Sequence, residues 1–347
     1  MARRGAQQNR EWDPRVVLAL KAALAVLGAL LLAFTMFTVR RYEQRVEARN
    51  RSAHEGEIIK ASPDGPRILI QYGDGFYERR TDVECSLIIG VDHFTDGRGQ
   101  STSEQADFLV LVVTDKKNDR VTAIELNRDT MTPVDILDDD GTYITTLTQQ
   151  LALAHTFGGD PNRCCENTVK AVSTMMRGID IQHYAAVTMD AVGILNDQVG
   201  GVTLTIPEDM TMVDEKFVEG ETLTLHGDEA LEFIRARQGV GSGLNTGRMQ
   251  RQKLYISEYQ KLFQRKAASD SEFSLSAVKA INDHMVSDST AQELSRMLDT
   301  ISGYDLGEMI IPPGENRTDG TFIQFYLDQA AMQELAIDLF YERVSDA

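Results

Sequence analysis

Short apolar runs and helical repeats follow one another along most of the chain. β-Branched residues and leucine are concentrated in runs that predict strands at residues 67–72, 86–91, 108–114 and 121–126, with a hairpin turn at DKKNDR between the last two. From residue 146 onward, apolar positions recur at helical spacing and alternate with further short strands. The predicted helices cover residues 146–157, 166–176, 190–199, 228–236, 247–265, 275–302 and 327–340, and the strands between them cover 184–188, 202–206 and 307–311. This interleaving predicts an α/β fold with a mixed central sheet flanked by helices on both faces, an α-β-α sandwich.

The N-terminal part of the chain has a different pattern. Residues 16–39 are apolar apart from Lys21, and a helix of this length is about long enough to cross a hydrocarbon core of about 30 Å. A cleaved signal peptide is the alternative, but its apolar part usually spans about 7 to 15 residues and ends in an A-x-A-like site, and neither feature fits this segment well. We therefore predict a head at residues 1–15, a transmembrane helix at 16–39, a stalk and the start of the outer domain at 40–80, and the main domain at 81–347.

The charge distribution separates the N-terminal region from the rest. Residues 1–51 contain 10 Lys and Arg against 4 Asp and Glu, whereas the remaining chain contains 25 against 49, a net charge of −24. Because nucleic-acid binding depends on neutralising phosphates with Lys and Arg, so acidic a domain is a poor candidate for it. Any phosphate chemistry therefore requires a local basic cluster or a metal ion.

The three cysteines leave two interpretations open. A zinc site is disfavoured because the cysteines lack paired spacing. If the domain lies outside the cytoplasm, a disulfide between Cys85 and Cys165 is expected, with Cys164 left over. Buried free thiols are the alternative.

Carboxylates stand at the ends of the predicted strands. Asp92 follows strand 86–91, Asp107 precedes strand 108–114, and Arg128 and Asp129 follow strand 121–126. Side chains at strand ends line the crevices where open α/β sheets bind ligands. Two carboxylates there can hold a hard divalent cation such as Mg²⁺, whose other ligands are water and phosphate oxygens. Solvated turn aspartates are the alternative interpretation.

A cluster of basic residues lies in the segment FIRARQGVGSGLNTGRMQRQ. Its arginines are Arg235, Arg237, Arg248 and Arg251. Asn245 is placed to cap the following helix, whose positive dipole end favours an anion, and Gln252 shares a helix face with Arg248. Guanidinium groups suit a diphosphate because they donate two parallel hydrogen bonds. The alternative is a structural role, in which Arg235 and Arg237 interact favourably with the negative dipole end of their helix and the other arginines pair with surface acids.

Several separated motifs of this chain resemble, in order, those of the LytR-CpsA-Psr family over about residues 85–265. They are GVD, QADFLVLVV, ELNRDTM, LTQQLALAHTFGG, GIDIQHYAAVTMDAVGILNDQVGGV, GETLTLHGDEALEFIRARQ and TGRMQRQ. The resemblance implies a single-pass membrane enzyme with its N-terminus inside and its main domain outside the cytoplasm. Such enzymes transfer a wall glycopolymer, for example teichoic acid or capsule, from a polyprenyl diphosphate carrier to peptidoglycan through a phosphodiester.

The resemblance also implies roles for particular residues. Asp92 and Asp107 match the ligands of Mg²⁺ (or Mn²⁺). The arginines that match the diphosphate-binding set are Arg128, Arg235, Arg237 and Arg248. Arg251, Gln252 and Asn245 extend the substrate-binding set. In the family the lipid tail lies in an apolar tunnel between sheet and helices, for which residues 147–176 and 192–195 are candidates here.

Two positions depart from the family pattern. Gln105 stands where an arginine is usual, and Asn245 stands where the family has an aspartate that helps to activate the acceptor hydroxyl. An amide cannot act as a base, so Asp129 is the candidate replacement. The alternative function is a catalytically weakened scaffold or regulator that binds polyprenyl phosphates or glycans.

Overall fold

The chain forms two compact units, Met1–Phe76 and Tyr77–Ala347. The computed structural model describes residues 57–62, 65–92, 104–236, 239–241, 245–318, 320 and 322–344. In the described part of the first unit, β1 (Glu57–Ser62) and β2 (Gly65–Tyr72) pair antiparallel. The transmembrane prediction at residues 16–39 lies outside the described residues, and no helix within them is both long and apolar enough to cross a bilayer.

The remaining strands are short, and most coincide with β-branched or leucine-rich runs. In chain order they are β3 (Gly75–Arg79), β4 (Val83–Val91), β5 (Phe108–Asp115), β6 (Arg120–Glu125), β7 (Met131–Leu137), β8 (Tyr143–Gln150), β9 (His183–Thr188), β10 (Val202–Thr205), β11 (Thr222–Leu225), β12 (Met285–Ser287), β13 (Asp305–Leu306), β14 (Gly314–Thr318), β15 (Ile323–Leu327) and β16 (Tyr341–Val344). The strands predicted within 86–126 and at 184–188 are confirmed as β4, β5, β6 and β9.

The structure contains seven α-helices within the described residues, and some of them begin at a side-chain cap. They are α1 (Pro161–Met175), α2 (Asp190–Gln198), α3 (Asp228–Arg235), α4 (Asn245–Ser269), α5 (Phe273–Ala280), α6 (Ala291–Ser302) and α7 (Gln329–Phe340), with 3₁₀ helices at Leu151–Thr156 and Asn282–His284. The side chain of Asp160 accepts hydrogen bonds from the first backbone N–H groups of α1, and Thr290 forms a reciprocal capping box with Glu293 at α6. These polar groups satisfy N–H donors that have no partner inside the helix.

The central sheet of the second unit has six strands in the order β12-β9-β4-β5-β6-β13. The chain runs antiparallel through β4, β5 and β6, whereas β9 lies parallel to β4 and β13 lies parallel to β6. Because it contains both parallel and antiparallel pairs, the sheet is mixed, as predicted. Successive side chains of a strand point to opposite faces, so both faces of these apolar strands have to be covered by other elements.

Helices cover the two faces. On one face Leu87 and Leu111 pack in a large buried cluster with Val172 of α1 and Phe340 of α7. On the other face Val110 packs in a smaller cluster with residues that include Ile256 of α4. The predicted arrangement of helices on both faces of the sheet is confirmed.

Two helix predictions are wrong. Residues predicted as helix 146–157 form the end of β8 followed by a 3₁₀ helix, because the threonine-rich segment YITTLTQQ favours a strand. The predicted helix 275–302 is interrupted by β12.

The expectation that residues 147–176 line an apolar tunnel is wrong. The helix α1 and the 3₁₀ helix before it pack on the first face of the sheet, whereas the apolar cavity described below borders the second face.

The cysteines are free thiols, so the structure contains the second of the two alternatives and the Cys85–Cys165 disulfide is absent. The Cys165 Sγ atom lies 3.6 Å from His155 Nε2. Burial raises the pKa of Cys85 to about 12 and the pKa of Cys164 to about 11. Both thiols are therefore protonated at neutral pH, and the thiolate is the form of cysteine that reacts as a nucleophile.

Candidate functional site

The two predicted metal-binding aspartates lie at the same edge of the central sheet. Asp92 follows the C-terminus of β4, and Asp107 precedes the N-terminus of the antiparallel neighbour β5. The backbone N–H of Asp107 donates to Gly90 O at 2.8 Å, which fixes the register of the two strand ends. Two residues 15 positions apart in the sequence are thereby brought to adjacent strand ends.

Arg128 reaches this edge from the third strand. Because β6 runs antiparallel to β5, its C-terminus meets the N-terminus of β5. The guanidinium of Arg128 forms an ion pair with Asp107, donates to Gln105 Oε1, and places Nε 3.7 Å from Asp129 Oδ1. Gln105, which stands at the position of the expected arginine, therefore holds Arg128 from the other side.

Two further arginines reach the same edge from helices. Arg235, the last residue of α3, donates to Asp92 Oδ2 at 3.1 Å and is more than half exposed. Arg248, in the first turn of α4, is buried and donates to the Asp107 carbonyl at 2.8 Å. Arg237 lies outside the described residues. Three predicted arginines thus converge on two predicted aspartates.

Arg251 has a different environment. Its guanidinium is buried, donates to the Phe233 and Ala236 carbonyls near the C-terminus of α3, and contacts Glu208 Oε1 at 2.5 Å. Arg251 therefore satisfies helix-terminal carbonyls and ties α4 to the helix that carries Arg235.

An apolar cavity of about 190 Å³ lies between the sheet and helices α2, α3 and α4. The lining residues are Ile88, Gly90, Phe108, Val187, Thr188, Met189, Val192, Leu195, Ile234, Gln252, Tyr255, Ile256 and Tyr259. Two of the lining residues are sequence neighbours of the site residues described above, since Phe108 follows Asp107 and Ile234 precedes Arg235. Of the predicted lining, Val192 and Leu195 are present, and Gln252 contributes an amide near the arginines.

A buried polar network surrounds Asn245. Asn245 Nδ2 donates to Asn127 Oδ1 at 2.8 Å, and the same oxygen accepts the backbone N–H of Asp129 at 3.0 Å. Asp129 Oδ1 in turn accepts a hydrogen bond of 3.2 Å from Gln150 Nε2. The Asn127 side-chain oxygen therefore links Asn245, which stands where the family has an aspartate, to Asp129, the candidate replacement for that aspartate.

Glu125 was not singled out by the sequence analysis. It is the last residue of β6 and only 2% exposed, and its Oε2 atom accepts no hydrogen bond from any described residue. Burial raises the pKa of Glu125 to about 8 against the opposing positive charge of Arg248. The sequence does contain a feature that points to Glu125, namely an acidic residue inside the apolar run VTAIEL. Charged residues are seldom fully buried unless they are paired, so an acid in a buried strand is unusual.

The donor set at the sheet edge fits a hard divalent cation. Asp92 Oδ1 is enclosed and accepts no hydrogen bond from a described residue, which leaves an oxygen donor available. Within the described ranges no group of three or more His, Cys, Asp or Glu side chains could hold a metal ion. Two carboxylates supplemented by water and phosphate oxygens match the ligands that Mg²⁺ prefers.

The fold is an α/β/α sandwich that brings arginines and carboxylates together at one edge of its central sheet. The model of the LytR-CpsA-Psr family matches residues 36–339. The chain belongs to this family. The predicted family resemblance is confirmed.

Relatives with named activities share about a quarter of the sequence. The polyisoprenyl-teichoic acid–peptidoglycan teichoic acid transferase TagU of Bacillus cereus is 26% identical over 255 residues, which is 72% of this chain and 75% of that protein. TagU of Halalkalibacterium halodurans is 28% identical over 170 residues, and this alignment covers 49% of this chain and only half of the relative's length. Biofilm regulatory protein A of Streptococcus mutans is 28% identical over half of this chain and 42% of its own length.

Solved structures share the fold. Protein gbs0355 from Streptococcus agalactiae superimposes with a TM-score of 0.60 at 20% identity, over 75% of this chain and 87% of that chain. TagT bound to LI-WTA superimposes with a TM-score of 0.56 at 20% identity, over 75% of this chain and 90% of that chain. The mixed α/β architecture is therefore that of the family.

Proposed function

We propose that this chain is a Mg²⁺-dependent phosphotransferase that moves a wall glycopolymer from a polyprenyl diphosphate carrier to peptidoglycan. Residues 16–39 anchor it in the cell membrane, and the main domain lies outside the cytoplasm. Family membership and the names of the TagU relatives support the reaction class.

One observation carries the proposal. Arg128, Arg235 and Arg248 converge on the aspartates at the sheet edge. Phe108 and Ile234, which are sequence neighbours of site residues, line the apolar cavity. A polyprenyl diphosphate has a compact anionic head joined to an apolar tail. The chain offers guanidinium groups for the head and an apolar cavity for the tail. Guanidinium groups bind phosphate oxygens through charge-assisted hydrogen bonds, and the tail is removed from water in the cavity.

The proposed reaction is a displacement at phosphorus. The hydroxyl oxygen of the acceptor attacks the phosphorus that carries the polymer, and the bond from this phosphorus to the oxygen bridging the two phosphates breaks. Polyprenyl monophosphate leaves with that oxygen, a phosphodiester forms, and the hydroxyl proton passes to a carboxylate. The arginines stabilise the charge that develops on the phosphate oxygens. Asp92 and Asp107 would hold Mg²⁺, which neutralises phosphate charge when bound.

The proton acceptor that we propose is Asp129. The Asn245 side chain is an amide and donates to Asn127, so it cannot take a proton at neutral pH. Asp129 lies in the same network and its carboxylate is buried beside Arg128.

Replacing Asp129 with asparagine is expected to lower turnover by about 10²- to 10⁴-fold, the usual contribution of a general base. Affinity for the diphosphate lipid should not fall, because Asp129 carries no positive charge that binds phosphate oxygens. Turnover is measured as release of polyprenyl monophosphate and affinity by titration of the lipid. Asp140→Asn, an exposed loop aspartate, is the matched control. Equal turnover in Asp129→Asn and wild type would show that Asp129 is not the proton acceptor.

The reaction itself is tested with the purified protein, a short-chain polyprenyl diphosphate glycan, an acceptor glycan and Mg²⁺. Polyprenyl monophosphate and a lipid-free glycan conjugate are expected, and chelation of Mg²⁺ should stop their formation. Binding of the lipid without either product would reject the enzyme.

A binding role is the second candidate, and the observation that favours it is the Asn245 amide. In that case the chain holds polyprenyl phosphates or wall glycans as a scaffold or regulator. Asn245→Asp separates the two functions. If the wild type binds without turnover and Asn245→Asp gains turnover, the natural chain is a binding protein.

Narrowing the cavity is expected to affect the lipid tail alone. In Val192→Phe the larger ring enters the cavity from α2, so affinity for a long-chain polyprenyl diphosphate should fall tenfold or more, at about 0.8 kcal/mol per CH₂ group kept in water. Affinity for a diphosphate with a very short chain should be unchanged. Val218→Phe, at an exposed position, provides the same substitution outside the cavity. Equal losses for both chain lengths would show that the cavity does not hold the tail.

A further inference from the structure

The hairpin of β14 and β15 carries exposed aromatic residues that the proposed reaction does not use. In β15 Phe325 is buried, whereas Tyr326 is 37% exposed, and Phe322, directly ahead of the strand, is 62% exposed. Phe322 is the most exposed phenylalanine of the described ranges. A single apolar side chain in water is ordinary on a protein surface, but aromatic rings exposed close together in one short segment point to a ligand.

Polar side chains with planar groups share a face of the hairpin with Tyr326. Gln324 lies on this face because it is two positions from Tyr326 in the same strand, and Arg317 of β14 lies there because it is opposite Gln324 in the register. The Arg317 guanidinium stands over the Tyr326 ring, 4.7 Å from its centroid. The Tyr326 hydroxyl donates to Gln324 Oε1 at 2.9 Å. These contacts hold the ring in a fixed orientation while part of it stays exposed.

The hairpin is joined to the residue that we propose as the proton acceptor. The backbone N–H of Phe325 donates to the Asp129 carbonyl at 2.8 Å. The Gln150 side-chain amide donates to Asp129 Oδ1 at 3.2 Å and to the Ile323 carbonyl at 2.7 Å. Phe322 is the residue before Ile323. The exposed aromatic segment is therefore continuous with the part of the site where an acceptor hydroxyl has to give up its proton.

We propose that Phe322, Tyr326, Gln324 and Arg317 form a subsite that binds sugar rings of the acceptor glycan. A sugar ring has C–H groups that pack against an aromatic face, and hydroxyl groups that exchange hydrogen bonds with amide and guanidinium groups. The acceptor is the occupant because its hydroxyl reacts beside Asp129, to which the hairpin is bonded. This inference rests on the proposed function, since it takes Asp129 as the proton acceptor.

The test is titration of the full chain with a soluble, lipid-free peptidoglycan glycan fragment. Wild type should bind it, and Phe322→Ala and Tyr326→Ala should each weaken binding by about tenfold, as expected for the loss of one aromatic contact. Phe322→Tyr keeps a ring and should bind as wild type does. Tyr143→Ala is the matched control, because it removes an exposed tyrosine at the end of the β7–β8 hairpin that is remote from Gln150, and should leave binding unchanged.

The transfer reaction gives a second readout. Both alanine variants should raise KM for the acceptor glycan by a factor similar to the loss of affinity. Their KM for a short-chain polyprenyl diphosphate glycan should stay at the wild-type value, because the donor head and tail are assigned to the arginines and the apolar cavity. A purely structural role of the hairpin would change both KM values or the stability of the fold.

The outcomes separate the two proposals. Absence of transfer by wild type, together with glycan binding that both alanine variants weaken, would overturn the proposed reaction and support the subsite. Failure of wild type to bind the glycan fragment, or wild-type affinity in both alanine variants, would overturn the subsite alone. Self-association of wild type that Phe322→Ala abolishes, without glycan binding, would assign this surface to a second copy of the chain and also reject the subsite.

Discussion

Replacing Arg128 with alanine is expected to reduce glycopolymer transfer by about 10²-fold or more, the usual effect of removing one oxyanion-stabilising donor. Arg128 has several contacts within the candidate site, since it forms an ion pair with Asp107, donates to Gln105 and lies 3.7 Å from Asp129. Its removal also leaves two carboxylates without their counter-charge, which repels the diphosphate. Release of polyprenyl monophosphate and lipid affinity are both measured.

Two further variants make this result interpretable. Arg128→Lys keeps the charge and loses the planar fork, so its turnover should be intermediate. Arg296→Ala removes an arginine from the exposed surface of α6, where Nε donates to a carbonyl of its own helix, and should leave transfer unchanged. Retention of wild-type affinity and turnover in Arg128→Ala would reject the proposed arginine site.

Glu125→Gln is expected to stabilise the fold at alkaline pH. The pKa of Glu125 is raised from 4.5 to about 8 in the folded protein, so the folded state binds its proton more tightly than the unfolded state. The stability contributed by this proton is fully present below pH 4.5 and is lost as the pH rises through about 8. At about 1.4 kcal/mol per pKa unit, the advantage of the variant approaches about 5 kcal/mol as an upper limit.

Denaturant unfolding of wild type and Glu125→Gln from pH 5 to 9 measures this difference. The two free energies of unfolding should be nearly equal at pH 5 and should diverge as the pH rises. The difference between the two proteins isolates Glu125 from the many other carboxylates, which are common to both. A constant difference across the range would show that Glu125 does not titrate in the folded state.

The sequence predicted β4, β5, β6 and β9 of the central sheet and the place of the candidate site residues at strand ends, because both follow from local patterns. The strands β12 and β13 were not predicted, since residues 275–302 were expected to form one helix and the last strand was expected at 307–311. Apolar runs gave β4, β5 and β6, and polar residues directly beyond those runs had to lie at strand ends. The convergence of Asp92, Asp107 and Arg128 then follows from antiparallel pairing alone.

Features that depend on tertiary packing were missed. The second half of β8 was predicted as the start of helix 146–157, because a short run of this kind does not distinguish strand from helix, and its pairing with β7 decided the outcome. Arg251 shares a helix face with Arg248 in sequence, yet its guanidinium is held by carbonyls of α3 and by Glu208. No pattern within the helix reveals those partners.

The helix α4 is continuous over 25 residues, from the polar network at Asn245 past the apolar cavity. Its first turn carries Arg248, and the next turns present Tyr255 and Tyr259 to the cavity. In the complex that we propose, this continuous helix contacts both the head group and the tail, so a displacement at one end is transmitted to the other without an intervening hinge. The length of an isoprenoid carrier is therefore expected to influence the reaction rate through the placement of its head group, in addition to influencing how tightly it is held.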